Sequence, residues 1–201
     1  MTAFKLYGDH RSGNCFKVKW SADYLNIDCE WIETDITKGE TRTDEFLALN
    51  KFGQVPTAVF GEGESRFILT QSNSIVLYLA ERANHPTFLP KNPEKRAQVY
   101  TWLFWEQNSH EPYVAGRRYR KSILGQSDDE IDKEWLPRGN AALARMNNVL
   151  NDHPFLVGDD FTAADMALVP YTRLADEGGF TLGDYPSVVS WIQRVEGLLD
   201  I

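Results

Sequence analysis

The feature that most constrains the fold is the order of strand-like and helix-like segments in the first 83 residues. Short apolar stretches with strand character alternate with stretches whose apolar residues recur at helical spacing. Strands are predicted at 4–7, 30–33, 57–60 and 67–69, and helices at about 14–25, 43–49 and 72–82. The last two strands flank the turn Gly61-Glu62-Gly63-Glu64. This βαβαββα order predicts an α/β domain over residues 1–83.

The character of the sequence changes after Ala83. Residues 84–93 contain three prolines and predict a linker. Every longer segment beyond them has a helical pattern: 94–120, 127–151, 163–177 and 187–199. Pro137 and Pro170 lie inside two of these segments and are expected to kink or interrupt them. The sequence therefore predicts a second, all-helical domain over residues 94–201.

Composition and charge argue against several classes of function. With 21 basic and 29 acidic residues, the formal net charge is −8, which argues against a nucleic-acid-binding surface. No apolar run reaches the ~18–20 residues of a membrane-spanning helix, and the N-terminus lacks a signal-peptide pattern. Two cysteines and four scattered histidines predict neither a disulfide framework nor a metal site. We therefore expect a reducing, cytoplasmic setting.

Ser12 opens the first of three stretches that could hold a ligand. It lies in Ser12-Gly13-Asn14-Cys15, between the first strand and the first helix, and Asn14 occupies the expected N-cap position. A hydroxyl beside the positive end of a helix favours a bound anion. A plain helix cap explains the same residues, so this stretch alone leaves both interpretations open.

The other two stretches are Val55-Pro56 and Gln71-Ser72. Pro56, at the mouth of a strand, cannot donate to the ladder, and a cis Val55–Pro56 bond would free the backbone of Val55 to pair with a peptide-like ligand. An ordinary edge-strand proline is the alternative. Ser72 is expected to cap the third helix, either as a cap alone or with its hydroxyl and the neighbouring amides binding a carboxylate.

In their order and spacing, the three stretches resemble the ligand site of the cytosolic glutathione transferases. The resemblance covers essentially the whole chain, including 38–43, the run 50–56 and the helical second half. It implies a thioredoxin-like first domain, an all-helical second domain, glutathione as co-substrate and a homodimer. The residues that it assigns to glutathione are Thr41, Gln54, Val55, Gln71 and Ser72. Lys38 or Arg42 would supply positive charge, unless both are solvated loop residues.

Three residues compete to activate the thiol of glutathione. Ser12 matches the serine of the theta and zeta classes, Tyr7 lies where the alpha, mu and pi classes keep a tyrosine, and Cys15 is similar in place to the cysteine of the beta and omega classes. The Ser-Gly-Asn-Cys pattern favours Ser12, and we expect Cys15 to lie in helix packing. The resemblance thus implies a bacterial, theta/zeta-like transferase of the serine type.

The second domain is expected to supply the pocket for the electrophile. Tyr113 and Arg117, on the long aromatic-rich helix, are the candidates for contact with a small, mostly apolar electrophile. Thr162 and Asp165 have the spacing of a capping box, to which we assign a structural role. Phe52 lies where several classes insert an aromatic residue into the partner subunit; a plain local contact is the alternative.

Other functions use the same fold. A glutathione-dependent isomerase, peroxidase or thiol exchanger would share the binding site, and an exchanger of the cysteine type requires an exposed Cys15 with a low pKa. A non-catalytic interaction module would bind glutathione without turnover. The electrophile itself is not specified, because apolar pockets carry little chemical signature.

Overall fold

The computed structural model describes residues 3–201 and divides into two compact units, one ending at His85 and the other beginning at Pro86. The first unit consists of β1 (Phe4–Gly8), α1 (Gly13–Tyr24), β2 (Cys29–Glu33), α2 (Asp44–Leu49), β3 (Thr57–Phe60), β4 (Phe67–Thr70) and α3 (Ser72–Ala83). Short 3-10 turns lie at Ile36–Lys38, Glu40–Arg42 and Gly63–Ser65.

The four strands form one mixed sheet in the order β2-β1-β3-β4. β1 and β2 are parallel and are joined through α1, as a parallel pair requires, whereas β3 is antiparallel to both β1 and β4. All four residues of β3 are buried, as expected for a strand inside the sheet. The thioredoxin-like βαβαββα domain is therefore confirmed.

The core of the first unit lies between the sheet and two helices. α1 packs against α3, and Val18, Ala22, Ile75 and Val76 on these helices are fully buried. Leu6 of β1 is fully buried as well. Burial of this apolar surface holds α1 and α3 side by side, which also brings the two helices' starts into the same part of the unit.

Two helix starts differ from the sequence prediction. The N-cap of α1 is Ser12 and not Asn14, because Ser12 has an extended backbone (φ −90°, ψ 112°) and its side chain accepts a hydrogen bond from Cys15 N. The N-cap of α3 is Gln71, so the prediction that Ser72 caps this helix is wrong. With φ 69° and ψ 115°, Gln71 turns the chain from β4 into helix within one residue, which leaves Ser72 inside the first turn.

The second unit is built from helices, which confirms the predicted all-helical domain. Its helices are α4 (Pro93–Trp105), α5 (Glu111–Arg118), α6 (Trp135–Leu150), α7 (Ala163–Thr172) and α8 (Pro186–Leu199), with π-helical turns at Glu106–His110 and Tyr119–Ile123 and 3-10 turns at Asp128–Glu130, Ala175–Gly178 and Leu182–Asp184. The helix predicted over 94–120 is interrupted, because Pro112 cannot donate the amide that an unbroken α-helix needs there. Within residues 3–201, no helix is both long and apolar enough to cross a membrane.

Two prolines mark where other predicted helices begin and end. Pro137 lies in the first turn of α6, where a missing amide costs no helical hydrogen bond, and the helix begins at Trp135 instead of residue 127. Pro170 lies in the last turn of α7, which ends at Thr172 instead of residue 177. Each helix runs through its proline, so neither Pro137 nor Pro170 divides a helix, and the predicted interruption is limited to a position within one turn of a helix end.

Asp165 links three segments of the second unit. Its fully buried carboxylate accepts hydrogen bonds from the backbone amides of Leu156 and Thr162, each at 2.9 Å, and from the Thr162 hydroxyl at 3.0 Å. The indole Nε1 of Trp191 donates a fourth hydrogen bond at 2.9 Å. The capping box is therefore confirmed, and its carboxylate also ties the start of α7 to α8.

Asp165→Ala is expected to lower the free energy of unfolding by about 3–5 kcal/mol, because four buried donors lose their acceptor. Urea denaturation followed by circular dichroism measures the change. Asp160→Ala is the matched control, since Asp160 is partly exposed and lies 3.7 Å from Lys95 Nζ; we expect a change below about 0.5 kcal/mol. An Asp165→Ala loss no larger than that of the control would contradict the structural role.

Candidate active site

The register of β3 brings three loops to one edge of the sheet. Thr57, the first residue of β3, pairs with Tyr7 of β1 on one side and with Thr70 of β4 on the other. Because β1 and β4 both run antiparallel to β3, the two strands end where β3 begins. The loop after β1, the loop before β3 and the start of α3 therefore leave the sheet at the same edge.

Ser12 ends the loop after β1 and begins α1. Its side chain is half-buried, and its Oγ lies 3.4 Å from the backbone nitrogen of Cys15, from which it accepts a hydrogen bond. The carbonyl of Ser12 accepts further hydrogen bonds from the amides of Cys15 and Phe16, at 3.0 and 3.2 Å. Ser12 thus presents a hydroxyl at the positive end of a 12-residue helix.

Val55 lies in the loop before β3, and the Val55–Pro56 peptide bond is cis. Val55 is half-buried. Within residues 3–201, neither its amide nor its carbonyl makes a hydrogen bond. Of the two alternatives left open by the sequence, the cis bond is the one present, beside a backbone that is available to pair with an extended ligand.

Asn50 holds the Val55 loop in place. Its Nδ2 donates to the carbonyl of Gln54 at 2.7 Å and to Thr57 Oγ1 at 3.1 Å, while its Oδ1 accepts from the amide of Phe52 at 3.1 Å. Asn50 is buried, so these bonds are sheltered from water. Sequence reasoning had included Asn50 only as part of a longer run; an asparagine opening a tight turn before a strand is the signal that could have identified its role.

Gly53 allows the Val55 loop to lie against the neighbouring 3-10 turn. Its φ of 60° is in the left-handed region, and a Cβ at this position would lie 2.9 Å from the carbonyl oxygen of Thr41. Any other residue would be strained in its backbone and would clash with that carbonyl. Thr41 is itself buried.

Gln71 and Ser72 form the start of α3. The side chain of Gln71 is exposed and makes no capping hydrogen bond, and the positive φ is uncommon for a residue other than glycine. Such conformations are found preferentially at functional sites. Ser72 Oγ donates to Asn14 Oδ1 at 2.8 Å, which ties α3 to α1. The backbone amide of Ser72 makes no hydrogen bond within the described part of the chain.

The two cations expected near the ligand are both engaged. Lys38 Nζ lies 3.3 Å from Asp35 Oδ2, and Arg42 Nη1 donates to the carbonyl of Phe52 at 3.3 Å. Both side chains are exposed. The structure therefore brings Lys38 and Arg42 to the segment around Thr41, but with partners in the protein itself.

The two alternatives to Ser12 lie in different surroundings. Tyr7 is half-buried, with its ring edge-on to Phe46 at 6.2 Å between centroids. Cys15 is fully buried, and Asp9 N donates to its Sγ at 3.5 Å. Burial raises the pKa of the Cys15 thiol to about 12, in spite of the opposing hydrogen bond with Ser12. Cys15 therefore lacks the exposed, readily ionised thiol that cysteine chemistry requires.

Asp9, His10 and Glu33 bring potential metal ligands within 4.8 Å of one another. These groups already have partners: Asp9 binds Arg11, and Glu33 accepts hydrogen bonds from His10 Nδ1 and Trp31 Nε1, each at 2.7 Å. Burial raises the pKa of Glu33, but these hydrogen bonds outweigh it and lower the pKa. The hydrogen bonds account for the arrangement without an ion.

Tyr113 lines a cavity of about 430 Å³ in the second unit. Its hydroxyl accepts a hydrogen bond from Arg138 Nη1 at 2.8 Å. Arg117, the other expected pocket residue, is buried: its Nε donates to the Gly178 carbonyl at 3.0 Å and its Nη2 to Asp128 Oδ1 at 2.5 Å. This guanidinium joins α5 to two neighbouring turns, which favours a structural role over contact with a ligand.

Comparison with known proteins provides independent evidence. The family described as "Glutathione S-transferase, N-terminal domain" matches residues 6–87, and "Glutathione S-transferase, C-terminal domain" matches residues 109–198. The crystal structure of a glutathione S-transferase from Pseudomonas fluorescens Pf-5 is similar to this chain with a TM-score of 0.89 and 41% identity, covering 97% of this chain and 95% of that one.

Two curated relatives are more distant. A glutathione S-transferase domain-containing protein of Dictyostelium discoideum is 30% identical over 171 residues, which are 80% of this chain. This chain spans only 64% of the Dictyostelium protein's length. The disulfide-bond oxidoreductase YfcG of Escherichia coli K12 is 25% identical over 185 residues, 90% of this chain and 85% of that protein. From the two matching domain families and the similarity to the Pseudomonas enzyme, we conclude that the chain belongs to the glutathione S-transferase family.

Proposed function

We propose that this chain binds glutathione and catalyses the attack of its thiolate on a small, mostly apolar electrophile. The observation that carries the proposal is the backbone of Val55, which has no partner among the described residues and lies at the same sheet edge as the starts of α1 and α3. Backbone pairing suits an extended peptide, and helix starts suit anions. Glutathione is a peptide with two carboxylates and a thiol, so it fits both features.

Each part of the ligand has a proposed partner. The backbone of Val55 pairs with the cysteinyl part, and Gln71 with the Ser72 amide holds the γ-glutamyl carboxylate at the positive end of α3. Thr41 is assigned to the glycyl end, and Gln54, exposed beside Val55, to the same ligand. Helix starts and backbone groups carry much of this recognition because the net charge is −8 and the nearby cations are engaged.

Ser12 is proposed as the donor that stabilises the thiolate, which makes the chain a serine-type, theta/zeta-like member. Its oxygen accepts from Cys15 N, and its hydroxyl proton can rotate toward a bound sulfur. If Ser12 and the α1 dipole lower the thiol pKa from about 8.5 to about 6.5, the shift is worth ~2.7 kcal/mol. At pH 7 the thiolate fraction rises ~25-fold, but reduced nucleophilicity leaves only ~3-fold net. Holding the electrophile beside the sulfur must supply the rest.

Ser12→Ala tests this mechanism and the proposed function together. Glutathione affinity, measured by calorimetry, is expected to change less than about 3-fold, since most of the proposed contacts lie elsewhere. The rate constant kcat/KM with 1-chloro-2,4-dinitrobenzene should fall by up to about 10-fold at pH 6 and about 3-fold at pH 7. The loss should vanish near about pH 7.5, because above that pH the more nucleophilic thiolate of the variant offsets its smaller ionised fraction.

Ser65→Ala is the control, because Ser65 is exposed and bonds only within its own turn, to the Glu62 carbonyl. It should behave as the wild type in both measurements. Absence of binding heat at millimolar glutathione would refute the proposed function. Binding without turnover of any electrophile would make the chain a non-catalytic module. An unchanged rate for Ser12→Ala at every pH would remove Ser12 from the mechanism.

Thiol–disulfide exchange is the second candidate, because one curated relative is named a disulfide-bond oxidoreductase. The surroundings of the cysteines do not favour a cysteine-based route. Both thiols are free, which fits a reducing cytoplasm, but burial raises the pKa of Cys15 and of Cys29 to about 12. An exchange reaction here would have to use the thiol of glutathione itself.

The rate of alkylation measures how reactive the thiols of Cys15 and Cys29 are in the folded protein. With a pKa of about 12, each thiol is about 10⁻⁴ ionised at pH 8, against about 0.2 for an ordinary cysteine, while the greater basicity of its thiolate recovers about 40-fold in nucleophilicity. Iodoacetamide should therefore modify the folded protein about 50-fold more slowly than the unfolded chain. Mass spectrometry in buffer and in 8 M urea, used as a denaturant, gives the two rates. Rapid loss of the Cys15 thiol in buffer, together with loss of exchange activity in Cys15→Ala, would restore the cysteine-based route.

A homodimer is also part of the proposal, with Phe52 as the residue inserted into the partner. The side chain of Phe52 is 68% exposed. Its backbone is held on both sides, since its amide donates to Asn50 Oδ1 and its carbonyl accepts from Arg42. A large apolar ring on a fixed backbone loses little entropy on binding, which suits an interface anchor.

Phe52→Ala is expected to raise the dimer dissociation constant about 30-fold, the effect of removing a buried aromatic anchor. Sedimentation velocity over a dilution series measures it. Lys51→Ala, at the adjacent exposed position, should stay within about 2-fold of the wild type. A wild-type protein that sediments as a monomer would refute the dimer, whereas equal dissociation constants for the two variants would refute only the role of Phe52.

A further inference from the structure

Arg11 immediately precedes Ser12, and its guanidinium joins two separate loops of the first unit. Its Nε donates to Asp9 Oδ1 at 2.9 Å and its Nη2 to Asp9 Oδ2 at 2.6 Å, so this pair is bidentate. The same Nη2 donates to Asp35 Oδ1 at 2.5 Å, and Nη1 donates to Thr37 Oγ1 at 3.1 Å. Arg11 therefore bridges the loop after β1 and the 3-10 turn that follows β2.

Asp9 provides the buried end of this bridge. It also accepts hydrogen bonds from the backbone amides of Arg11 at 2.8 Å and Ile36 at 2.9 Å, while its carbonyl accepts from the amide of Ser12 at 2.9 Å. Burial raises the pKa of Asp9, but the hydrogen bonds from Arg11 and Ile36 outweigh it and lower the pKa. An ionised, buried carboxylate strongly disfavours release of the Arg11 guanidinium. Asp9 thus fixes the backbone of Arg11 and Ser12 and ties it to the backbone of Ile36.

Asp35 provides the other end. It is the N-cap of the turn Ile36–Lys38 and accepts from the amides of Thr37 and Lys38, at 2.8 and 3.3 Å. Hydrogen bonds from Thr37 and Arg11 lower the pKa of Asp35, which keeps it ionised at neutral pH. The turn leads directly to Thr41. The bridge therefore ties the loop that carries Ser12 to the segment that carries Thr41.

The geometry of Arg11 favours positioning over direct contact with glutathione. Its Nε, Nη1 and Nη2 all donate within the protein, and two carboxylates already neutralise its charge. A lysine at this position would supply the same charge, but a single ammonium group cannot reproduce the planar fork that spans Asp9, Asp35 and Thr37.

We propose that Arg11 is a positioning residue for the transferase reaction, because its bridge between Asp9 and Asp35 determines where the hydroxyl of Ser12 stands relative to the bound sulfur. The inference rests on the proposed function. Val55 and Gln71 take no part in the bridge, so its loss leaves most of the glutathione contacts intact. The thiolate then loses its donor while the peptide stays bound.

The test compares Arg11→Gln, Arg11→Lys and Asp35→Asn with the wild type. Glutathione affinity should change less than about 3-fold, while kcat/KM falls by up to about 10-fold at pH 6 and about 3-fold at pH 7, the limits set by Ser12→Ala. The midpoint of the pH–rate profile should move upward toward that of Ser12→Ala. The double variant Arg11→Gln/Ser12→Ala should be no slower than Ser12→Ala, because a displaced donor and an absent donor have the same effect.

Lys19→Gln is the matched control. It removes one positive charge and one ion pair, with Asp23, from the surface of α1, and it should leave the pH profile in place. Asp35→Asn keeps the buried Asp9–Arg11 pair and is expected to give a smaller shift in the same direction, so it decides the question if the Arg11 variants fail to fold by circular dichroism.

Three results would overturn the inference. An unchanged pH–rate profile in folded Arg11 variants would show that the bridge does not position Ser12. The same conclusion would follow if the loss of kcat/KM in the double variant equalled the product of the losses from Arg11→Gln and Ser12→Ala. Glutathione affinity that falls in step with kcat/KM would make Arg11 a binding residue. A wild-type protein that fails to bind glutathione would instead refute the proposed function, and this inference with it.

Discussion

β3 is hydrogen-bonded on both sides at its first residue, where Thr57 pairs with Tyr7 and with Thr70. This double pairing aligns the end of β1, the start of β3 and the end of β4, so three loops of unrelated sequence share one edge of the sheet. Asn50 extends the alignment into the loop by bonding both the Thr57 side chain and the carbonyl of Gln54. The backbone of Val55 is thereby presented in a fixed place, and the remaining features of the proposed glutathione site depend on that register.

The electrostatics of the proposed site follow from the acidity of the chain. The net charge is −8, and Lys38, Arg42 and Arg11 are each bound by carboxylates or carbonyls of the protein. The groups that remain to bind an anionic peptide are backbone amides and helix starts, whose partial charges are fixed by the fold. The cations instead connect the loops. The guanidinium of Arg11, for example, donates to Asp9, Asp35 and Thr37.

Ser12 and Cys15 lie one helical turn apart, but their side chains differ in burial. Ser12 caps α1 at its half-buried start, where a hydroxyl can reach a ligand, whereas Cys15 faces the core, where burial raises the pKa of its thiol to about 12. The helix dipole favours an anion at both positions, but desolvation opposes it only at the buried one. This difference in burial supports the proposed role of Ser12 over a cysteine-based exchange reaction at Cys15.

The sequence by itself determined the βαβαββα order, the helical second half and the capping box at Thr162 and Asp165, because periodicity and turn chemistry act over a few residues. Helix starts at Ser12 and Gln71 were misplaced by one or two residues, since local capping preferences do not include the backbone turn imposed by the sheet. Only the tertiary structure decided the burial of Arg117 and the bonds between Arg11 and Asp35 and between Ser72 and Asn14, which are 24 and 58 residues apart, whereas the packing of Cys15 was expected from the sequence. Such contacts leave no periodic trace in a single sequence, because they exist only once the sheet and its helices have packed.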